Sequence, residues 1–275
     1  MQPYQRQYIE NVREIMRLSD FYSVPRTDFS SWYSAEKANS THMAELKQEN
    51  IELLNRYLFP TLDALHEADD ACIDELILFA DTLMDWKTNL DCGVYVTIHE
   101  ALLSLYRVRH ERNRIIRELY KLGMGLYYLD RAVDGVESKY AGTFRYRNEM
   151  VFTEAGSYMK FFEEIQDAET RGYIIRALAN ISICSEDRKR RIAVTARVLQ
   201  ILKDKFYRDL EPSLPWDTFL RRTNQQMSAN RTTLSKGDLS KQELEAIFES
   251  CYEVFKPEES AQNPDIRWLW PYYEM

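Results

Sequence analysis

The stretch RNRIIRELYKLGMGLYYL, residues 112–129, decides the fold class. Its large aliphatic residues recur at steps of three and four, which places them on one face of an α-helix: Ile115, Leu119, Leu122, Leu126 and Leu129. A second apolar stripe lies beside the first, so the helix must be covered on more than one side. Gly123 and Gly125 each cost about 1 kcal/mol relative to alanine inside a helix. We expect a closely packed neighbouring helix to offset that cost.

The composition indicates a helical protein. The 275 residues include only 8 glycines and 8 prolines, whereas β-sandwiches and barrels need many more turn residues. With 44 acidic and 36 basic residues the net charge is −8, which argues against general affinity for nucleic acid or anionic membranes. No signal peptide and no apolar run near the roughly 18 residues of a membrane span are found. These features predict a cytoplasmic protein without a membrane span.

The cysteines and histidines do not form a metal or redox motif. Cys72, Cys92, Cys184 and Cys251 are scattered, and we expect buried reduced thiols. His99-Glu100 lacks a second histidine one turn later, since Leu103 and Ser104 stand there. The single pair Asp63 and His66 falls short of a di-iron site, which needs such a pair on two helices. We therefore predict no catalytic site, no metal and no cofactor.

Helical periodicity and capping residues divide the chain into helices. A first helix is predicted over 4–18, then an irregular connection over 19–34, and a second helix over 35–59 that Pro60 ends or kinks. Asp69 begins the next helix and Asp91 the one after it, which contains a β-branched run. Further helices are predicted over 111–131, 153–165, 168–184, 187–209, 216–229 and up to Pro257, with a polar connection over 134–148.

The helices recur as pairs, and residues recur with them. Pairs begin near 69, 111, 168 and 216, a spacing typical of helical-hairpin solenoids. Five residues of the first copy return in the second: Arg112, Ile115, Ile116, Arg117 and Leu119 as Arg171, Ile174, Ile175, Arg176 and Leu178. The predicted fold is all-α, a solenoid of antiparallel hairpins with irregular repeats. Residues 1–68 would cap it, 69–257 would form the repeats, and 258–275 would be an aromatic tail.

Two interpretations of the basic clusters remain open. Arginines crowd the helix junction at 107–117 and return at 188–191, and interleaved Glu111, Glu118, Glu186 and Asp187 favour a solvated, salt-bridged face. Alternatively the arginines bind an anion, because a guanidinium grips carboxylate or phosphate with two parallel hydrogen bonds. The candidate ligand-binding residues are Arg117, Tyr120, Lys121, Tyr127, Arg176 and Asn180.

Residues 112–129 resemble the first helix of a tetratricopeptide repeat, with Leu119, Leu122, Gly123 and Leu126 at its characteristic positions. The phrases RIIRELYKLGMGLYYL (114–129) and ETRGYIIRALANISI (169–183) also resemble the helical N-terminal regions of bacterial diguanylate cyclase (GGDEF-type) signalling proteins. That resemblance covers roughly residues 70–255. It implies a sensory or regulatory region for a cyclic-dinucleotide output domain, whose own signature is absent from these residues.

The leading hypothesis is therefore a non-catalytic helical-repeat module that binds a peptide, a protein or a small anionic ligand on its concave face. The alternative is an all-helical, metal-dependent enzyme that uses the acidic pairs Asp69-Asp70 and Asp74-Glu75. DNA binding through the 188–191 arginines conflicts with the acidic whole. Four aromatic residues of the tail predict an interface, which would be a cap, a homodimer contact or a contact with a following domain: Trp268, Trp270, Tyr272 and Tyr273.

Overall fold

The computed structural model describes residues 1–20, 29–84, 90–133, 143–162 and 164–184. These residues are mostly helical and include no strand, so the all-α prediction is confirmed for this part of the chain. The chain divides into two compact units, residues 1–110 and the residues from Glu111 onward. This division falls inside the predicted repeat region 69–257. The predicted domains themselves stay a prediction.

The first unit contains five α-helices in its described residues. They are α1 (Pro3–Asp20), α2 (Phe29–Leu53), α3 (Phe59–Asp63), α4 (Asp70–Leu83) and α5 (Cys92–Val108). A π-helical turn, Leu54–Leu58, joins α2 to α3, and a 3-10 turn, Leu65–Glu67, precedes α4. Helix α1 packs against α2, and α4 packs against α5. The largest fully buried side chains of this unit are Tyr95, Tyr106, Phe79, Leu58, Ile73, Leu76, Leu83, Ile98 and Leu102.

The predicted limits of the second helix are wrong at both ends. The connection predicted over 19–34 is helical from Phe29 onward. At the other end, helical backbone continues through Pro60 in α3. The π-helical turn Leu54–Leu58 lies directly before α3, and Pro60 has no N–H to donate to that turn. The regular α-helical pattern is therefore interrupted next to Pro60, but helical backbone does not end there.

Aspartates begin α4 and α5 as predicted. The Asp69 side chain accepts a hydrogen bond from the Cys72 backbone N–H at 2.8 Å. Asp91 Oδ1 accepts from the Val94 backbone N–H at 2.9 Å, and the β-branched run that follows is helical. Asp91 Oδ2 also accepts a hydrogen bond from the Tyr8 hydroxyl at 2.6 Å. One carboxylate thus caps α5 and ties it to α1.

The second unit contains three described helices: α6 (Arg112–Val133), α7 (Thr143–Ser157) and α8 (Ala168–Cys184). Helix α7 contacts both α6 and α8, and α6 also contacts α8. The bounds of the helix predicted over 153–165 are wrong, because α7 begins at Thr143, ends at Ser157 and is followed by a 3-10 turn at Tyr158–Phe161. The buried stripe of α7 consists of Asn148, Phe152, Ala155 and Gly156. Only one of these side chains is large and apolar, so hydrophobic periodicity does not reveal the helix.

Two glycines allow α7 to approach its neighbours. A Cβ added to Gly123 of α6 would lie 2.5 Å from the Phe152 ring of α7. A Cβ added to Gly156 of α7 would lie 2.6 Å from a methyl carbon of Leu178 in α8. Both distances are far below normal contact between carbon atoms. The close approach expected at Gly123 is confirmed, and Gly156 provides a second one that the sequence did not indicate.

Several predictions fall outside the described residues. The helices predicted over 187–209 and 216–229, the last helix before Pro257 and the aromatic residues Trp268, Trp270, Tyr272 and Tyr273 are among them. Among the residues that the structure does describe, no helix combines the length and apolar character needed to span a membrane. Cys72 and Cys92 carry free thiols that are half-buried, not fully buried as expected.

Candidate functional site: an arginine–tyrosine cluster between α6 and α8

The isoleucines of the two copies of the predicted repeat are buried alike. Ile116 and Ile175 are both fully buried, and Ile115 and Ile174 are buried beside them. The repeated arginines, Arg117 and Arg176, are both half-buried. Because the burial pattern recurs with the residue pattern, both arginines project from the same side of their respective helices.

Successive contacts between α6 and α8 join residues with the same separation in the sequence. The Arg176 guanidinium carbon lies 5.1 Å from the centre of the Tyr120 ring. One turn further, the Asn180 amide nitrogen lies 3.3 Å from the Met124 sulfur, across a separation of 56 residues. The first pair has the same separation along the sequence. Helices α6 and α8 therefore run side by side in the same direction.

A group of aromatic rings and guanidinium groups fills this contact. The Arg176 guanidinium carbon is 4.6 Å from the centre of the Tyr173 ring, closer than it is to Tyr120. The two tyrosine rings themselves lie 5.1 Å apart at an angle of 35°. The ring faces attract the cation and restrict the orientation of the guanidinium plane. Arg117, Tyr120, Tyr173 and Arg176 are called the arginine–tyrosine cluster below.

Arg117 is held by its neighbour in the sequence. Its Nε and Nη2 atoms each lie 2.8 Å from Oε1 of Glu118. The Glu118 side chain is fully buried, and a buried carboxylate is stable only when it is paired and hydrogen-bonded. The prediction that Glu118 belongs to a solvated face is therefore wrong. The buried Glu118 carboxylate instead fixes the orientation of the Arg117 guanidinium.

Tyr173 links the two arginines electrostatically. Its hydroxyl donates a hydrogen bond to Glu169 Oε1 at 2.5 Å. Burial raises the pKa of Tyr173, the hydrogen bond and the charge of Glu169 raise it further, and the charges of Arg176 and Arg117 lower it. The Arg176 guanidinium carbon lies 4.6 Å from the centre of this ring. The phenol stays protonated at neutral pH and acts as a hydrogen-bond donor.

The remaining candidate residues lie along the same pair of helices. Lys121 is half-buried on α6. Tyr127 packs edge to face on Tyr128, with ring centres 5.5 Å apart. Asn180 reaches Met124, as described above. The structure thus brings Tyr120 and Arg176 together, with Arg117 one turn before Tyr120 on α6 and Asn180 one turn further along α8.

Sequence reasoning missed two members of this site. Tyr173 stands three residues before Arg176, a spacing that places both on one face of a helix, so it could have been found. Glu118 gives no comparable signal, because its position among arginines is equally typical of a solvated surface. Only the packing of the helices shows that its carboxylate is buried.

Other arginines of the 107–117 cluster lie in ion pairs. Arg112 Nη1 is 2.8 Å from Glu164 Oε2, and its guanidinium carbon lies 4.3 Å from the centre of the Phe161 ring. Arg114 Nε is 3.1 Å from Glu111 Oε2 on the same helix. The salt-bridged, solvent-exposed face is thus confirmed for Arg112 and Arg114. It does not describe Arg117, which pairs with a buried carboxylate.

Asp69, Asp70 and Glu75 of the enzyme alternative have structural partners. Asp69 caps α4, and an Asp70 carboxylate oxygen lies 4.0 Å from Arg109. Glu75 accepts a hydrogen bond from the Gln2 side chain. Within the described ranges, no group of three histidine, cysteine or acidic residues is arranged to hold a metal ion. The buried ring of His99 packs against Tyr95, with ring centres 4.2 Å apart.

Comparison of the chain with protein-family models, with curated proteins and with solved structures finds no match. The chemistry of the arginine–tyrosine cluster is therefore the guide to function. The cluster combines oriented guanidinium groups with aromatic surface, while the Tyr173 hydroxyl already donates to Glu169. Such an arrangement is suited to holding an anionic group, because the donors are already directed before a ligand arrives.

Proposed function

We propose that this protein is a non-catalytic helical-repeat module that binds an anionic group of a peptide, a protein or a small ligand at the arginine–tyrosine cluster, and that it serves as a sensory or regulatory region. One observation carries the proposal. The Arg176 guanidinium of α8 lies against the rings of Tyr173 and of Tyr120 from α6, and Arg117 occupies the corresponding position of the repeat one turn before Tyr120 on α6. Two cations that converge from separate helices form a natural receptor for a carboxylate or a phosphate.

Preorganisation supports this function. A long arginine side chain normally loses rotamer freedom when it binds, which costs about 0.5–1.5 kcal/mol for each immobilised side chain. In this cluster Glu118 already holds Arg117, and two tyrosine rings already hold Arg176. Much of the ordering is therefore complete before binding. A ligand would gain the interaction with less entropic loss.

The solenoid arrangement is part of the same proposal. Helices α6 and α8 run parallel, and α7 packs against both through Gly123 and Gly156. This is the relation expected between the first helices of two successive hairpins and the second helix that separates them. Under this arrangement, the α6–α8 surface belongs to the face on which first helices line up, where helical repeats bind their partners.

The output of the module follows from the resemblance to the N-terminal regions of diguanylate cyclases. We propose that ligand binding controls a cyclic-dinucleotide output domain outside these residues, in the bacterial cytoplasm. Sequencing the gene beyond the codon for Met275 tests this part. A continuous reading frame that encodes a cyclase domain supports it, and a stop codon directly after Met275 rules out an output domain fused at that end.

Binding is tested by isothermal titration calorimetry with inorganic phosphate and with a short peptide that contains several glutamates. The decisive variant is Arg176→Gln, which removes the charge but keeps a planar group on the tyrosine rings. We expect about tenfold weaker binding, since a hydrogen bond to a charged group contributes roughly 1.5–3 kcal/mol. Affinity should also fall as salt is raised.

Arg114→Gln is the matched control. It removes the same charge from α6, but at an exposed ion pair beside the cluster. Its affinity should stay within about twofold of the parent protein, because exposed ion pairs contribute little. Equal losses in both variants, or no binding of either probe to the parent protein, would contradict the proposed function.

A further inference from the structure

The first unit contains an open groove of about 1160 Å³. It lies between the start of α1, the π-helical turn with α3, and the start of α4. Pockets for small molecules usually measure about 300–1,000 Å³. The size of this groove therefore suits a short stretch of polypeptide better than a single metabolite.

One wall of the groove presents aromatic surface. Tyr4 stacks on Tyr57 with ring centres 5.2 Å apart, and the Arg56 guanidinium lies 5.3 Å from the centre of the Tyr57 ring. Tyr57 keeps 39% of its surface exposed. Arg56 and Tyr57 belong to the π-helical turn, a rare geometry that is found frequently at functional sites. The turn thus places an apolar contact surface where a bound chain would lie.

The other wall is acidic. Three carboxylates, Glu67, Asp69 and Glu75, line the groove, together with the single arginine Arg56. Glu75 already attracts N–H donors. Its Oε2 accepts a hydrogen bond from the Gln2 amide at 2.5 Å, and its Oε1 forms an ion pair with the Met1 ammonium at 3.6 Å. The charge of the lining therefore favours a cation.

Two titratable side chains in the groove respond to this negative charge. Burial raises the pKa of the Cys72 thiol, and the charges of Asp69 and Glu75 raise it further. Burial also raises the pKa of Tyr4; a hydrogen bond with Gln5 lowers it, and the charges of Cys72 and Glu75 raise it. The carboxylates thus disfavour further negative charge in the groove.

We propose that this groove binds an extended segment of a partner protein in which a lysine or arginine is flanked by apolar residues. The basic side chain pairs with Glu75 in place of the Gln2 amide. The flanking apolar side chains contact Tyr4 and Tyr57. The charge of the lining selects the basic residue, and the size and aromatic wall select a peptide over a free amine. This site is in the first unit, so it is independent of the arginine–tyrosine cluster in the second.

The experiment uses fluorescein-labelled peptide pools that share a fixed central residue flanked by mixtures of leucine, tyrosine, alanine and serine. One pool has arginine at the centre and the other has glutamate. Fluorescence anisotropy is measured with the full chain, with Glu75→Gln and with Glu10→Gln. Glu10 is an exposed acid on α1 outside the groove lining, so it serves as the matched control.

We expect the arginine pool to bind at least about tenfold more tightly than the glutamate pool. Glu75→Gln should bind the arginine pool about tenfold more weakly than the parent protein does. Glu10→Gln should bind like the parent protein. Circular dichroism establishes that the variants remain helical. The proposal is overturned by equal binding of the two pools or by equal loss in both variants. Displacement of the arginine pool by spermidine at matching concentrations would also overturn it, because the site would then select amines and not peptides.

Discussion

The packing around Gly123 explains why a residue that disfavours helix lies inside α6. Gly123 is a costly residue in a helix interior, yet a Cβ at this position would meet the Phe152 ring. Phe152 is itself fully buried, so the ring has little room to move aside. The glycine lowers helix propensity, but it allows α6 to pack closely on α7.

Gly123→Ala should therefore destabilise the protein, although alanine is normally the better helix former. Overpacking a dense core typically costs about 1–3 kcal/mol, which exceeds the gain of about 1 kcal/mol in helix propensity. Thermal unfolding followed by circular dichroism measures the difference. The double variant Gly123→Ala/Phe152→Leu should recover stability relative to Gly123→Ala alone. A more stable single variant would show that α6 and α7 do not approach as described.

His110 carries the positive φ angle of 56° directly after the C-terminal end of α5. This left-handed conformation is usual for the residue that follows a helix, but glycine adopts it at lower cost than other residues. The residue also marks the end of the first compact unit.

His110→Gly should stabilise the first unit by about 0.5–1 kcal/mol, because glycine removes the steric cost of the left-handed conformation. The midpoint of urea unfolding should rise accordingly. His110→Val is the opposing control, since a β-branched residue tolerates positive φ poorly and should lower the midpoint. Loss of stability in His110→Gly would mean that the imidazole has a structural role that outweighs the backbone.

At the scale of elements, sequence patterns succeeded where capping and periodicity agree. Asp91 begins α5 and the β-branched run after it is helical, because the apolar residues of α5 pack on α4. The paired isoleucines of α6 and α8 were likewise predicted and are buried. Capping residues and apolar periodicity predict these helices correctly because they reflect both helix geometry and core packing.

Sequence patterns gave wrong helix limits where tertiary packing or the position of a residue within a helix determined the structure. Pro60 was expected to end or kink a helix, and helical backbone continues past it in α3 after a π-helical turn. Helix α7 was missed because its buried stripe contains Asn148, Ala155 and Gly156. Of the candidate site, both arginines were found through the repeat. The role of Glu118 could not be found, because burial of a carboxylate depends on helices elsewhere in the sequence.

Asp91 connects two elements, and its removal should affect both. Asp91→Ala removes the cap of α5 and also leaves the Tyr8 hydroxyl without its partner. Loss of an N-cap typically costs about 1 kcal/mol, and a buried donor left without a partner adds about 1–3 kcal/mol. Asp69→Ala, which removes the cap of α4, should cost less.

Chemical denaturation of these variants measures the difference, and Tyr8→Phe completes the comparison. In the Tyr8→Phe background, Asp91→Ala should cost only about as much as Asp69→Ala. If Asp91→Ala and Asp69→Ala are equally destabilising in the parent protein, the hydrogen bond from Tyr8 contributes nothing measurable.

At the scale of the whole molecule, the net charge of −8 conceals two surfaces of different character. The groove of the first unit is lined by carboxylates, whereas the arginine–tyrosine cluster of the second unit presents guanidinium groups. Overall acidity argues against general binding to nucleic acid, but it does not determine what each surface attracts. The two units therefore call for separate tests with probes of opposite charge.

The central claim is that the repeat brings Arg117 and Arg176 to one anion-binding surface. The most direct measurement follows the side-chain Nε–H signals of the arginines by nuclear magnetic resonance while the glutamate-rich peptide is added. Substitution of each arginine by lysine assigns its signal. We predict that the Arg117 and Arg176 signals shift together and yield one dissociation constant, while the Arg114 signal stays in place. Unchanged signals from Arg117 and Arg176, or an equal shift of Arg114, would contradict the claim.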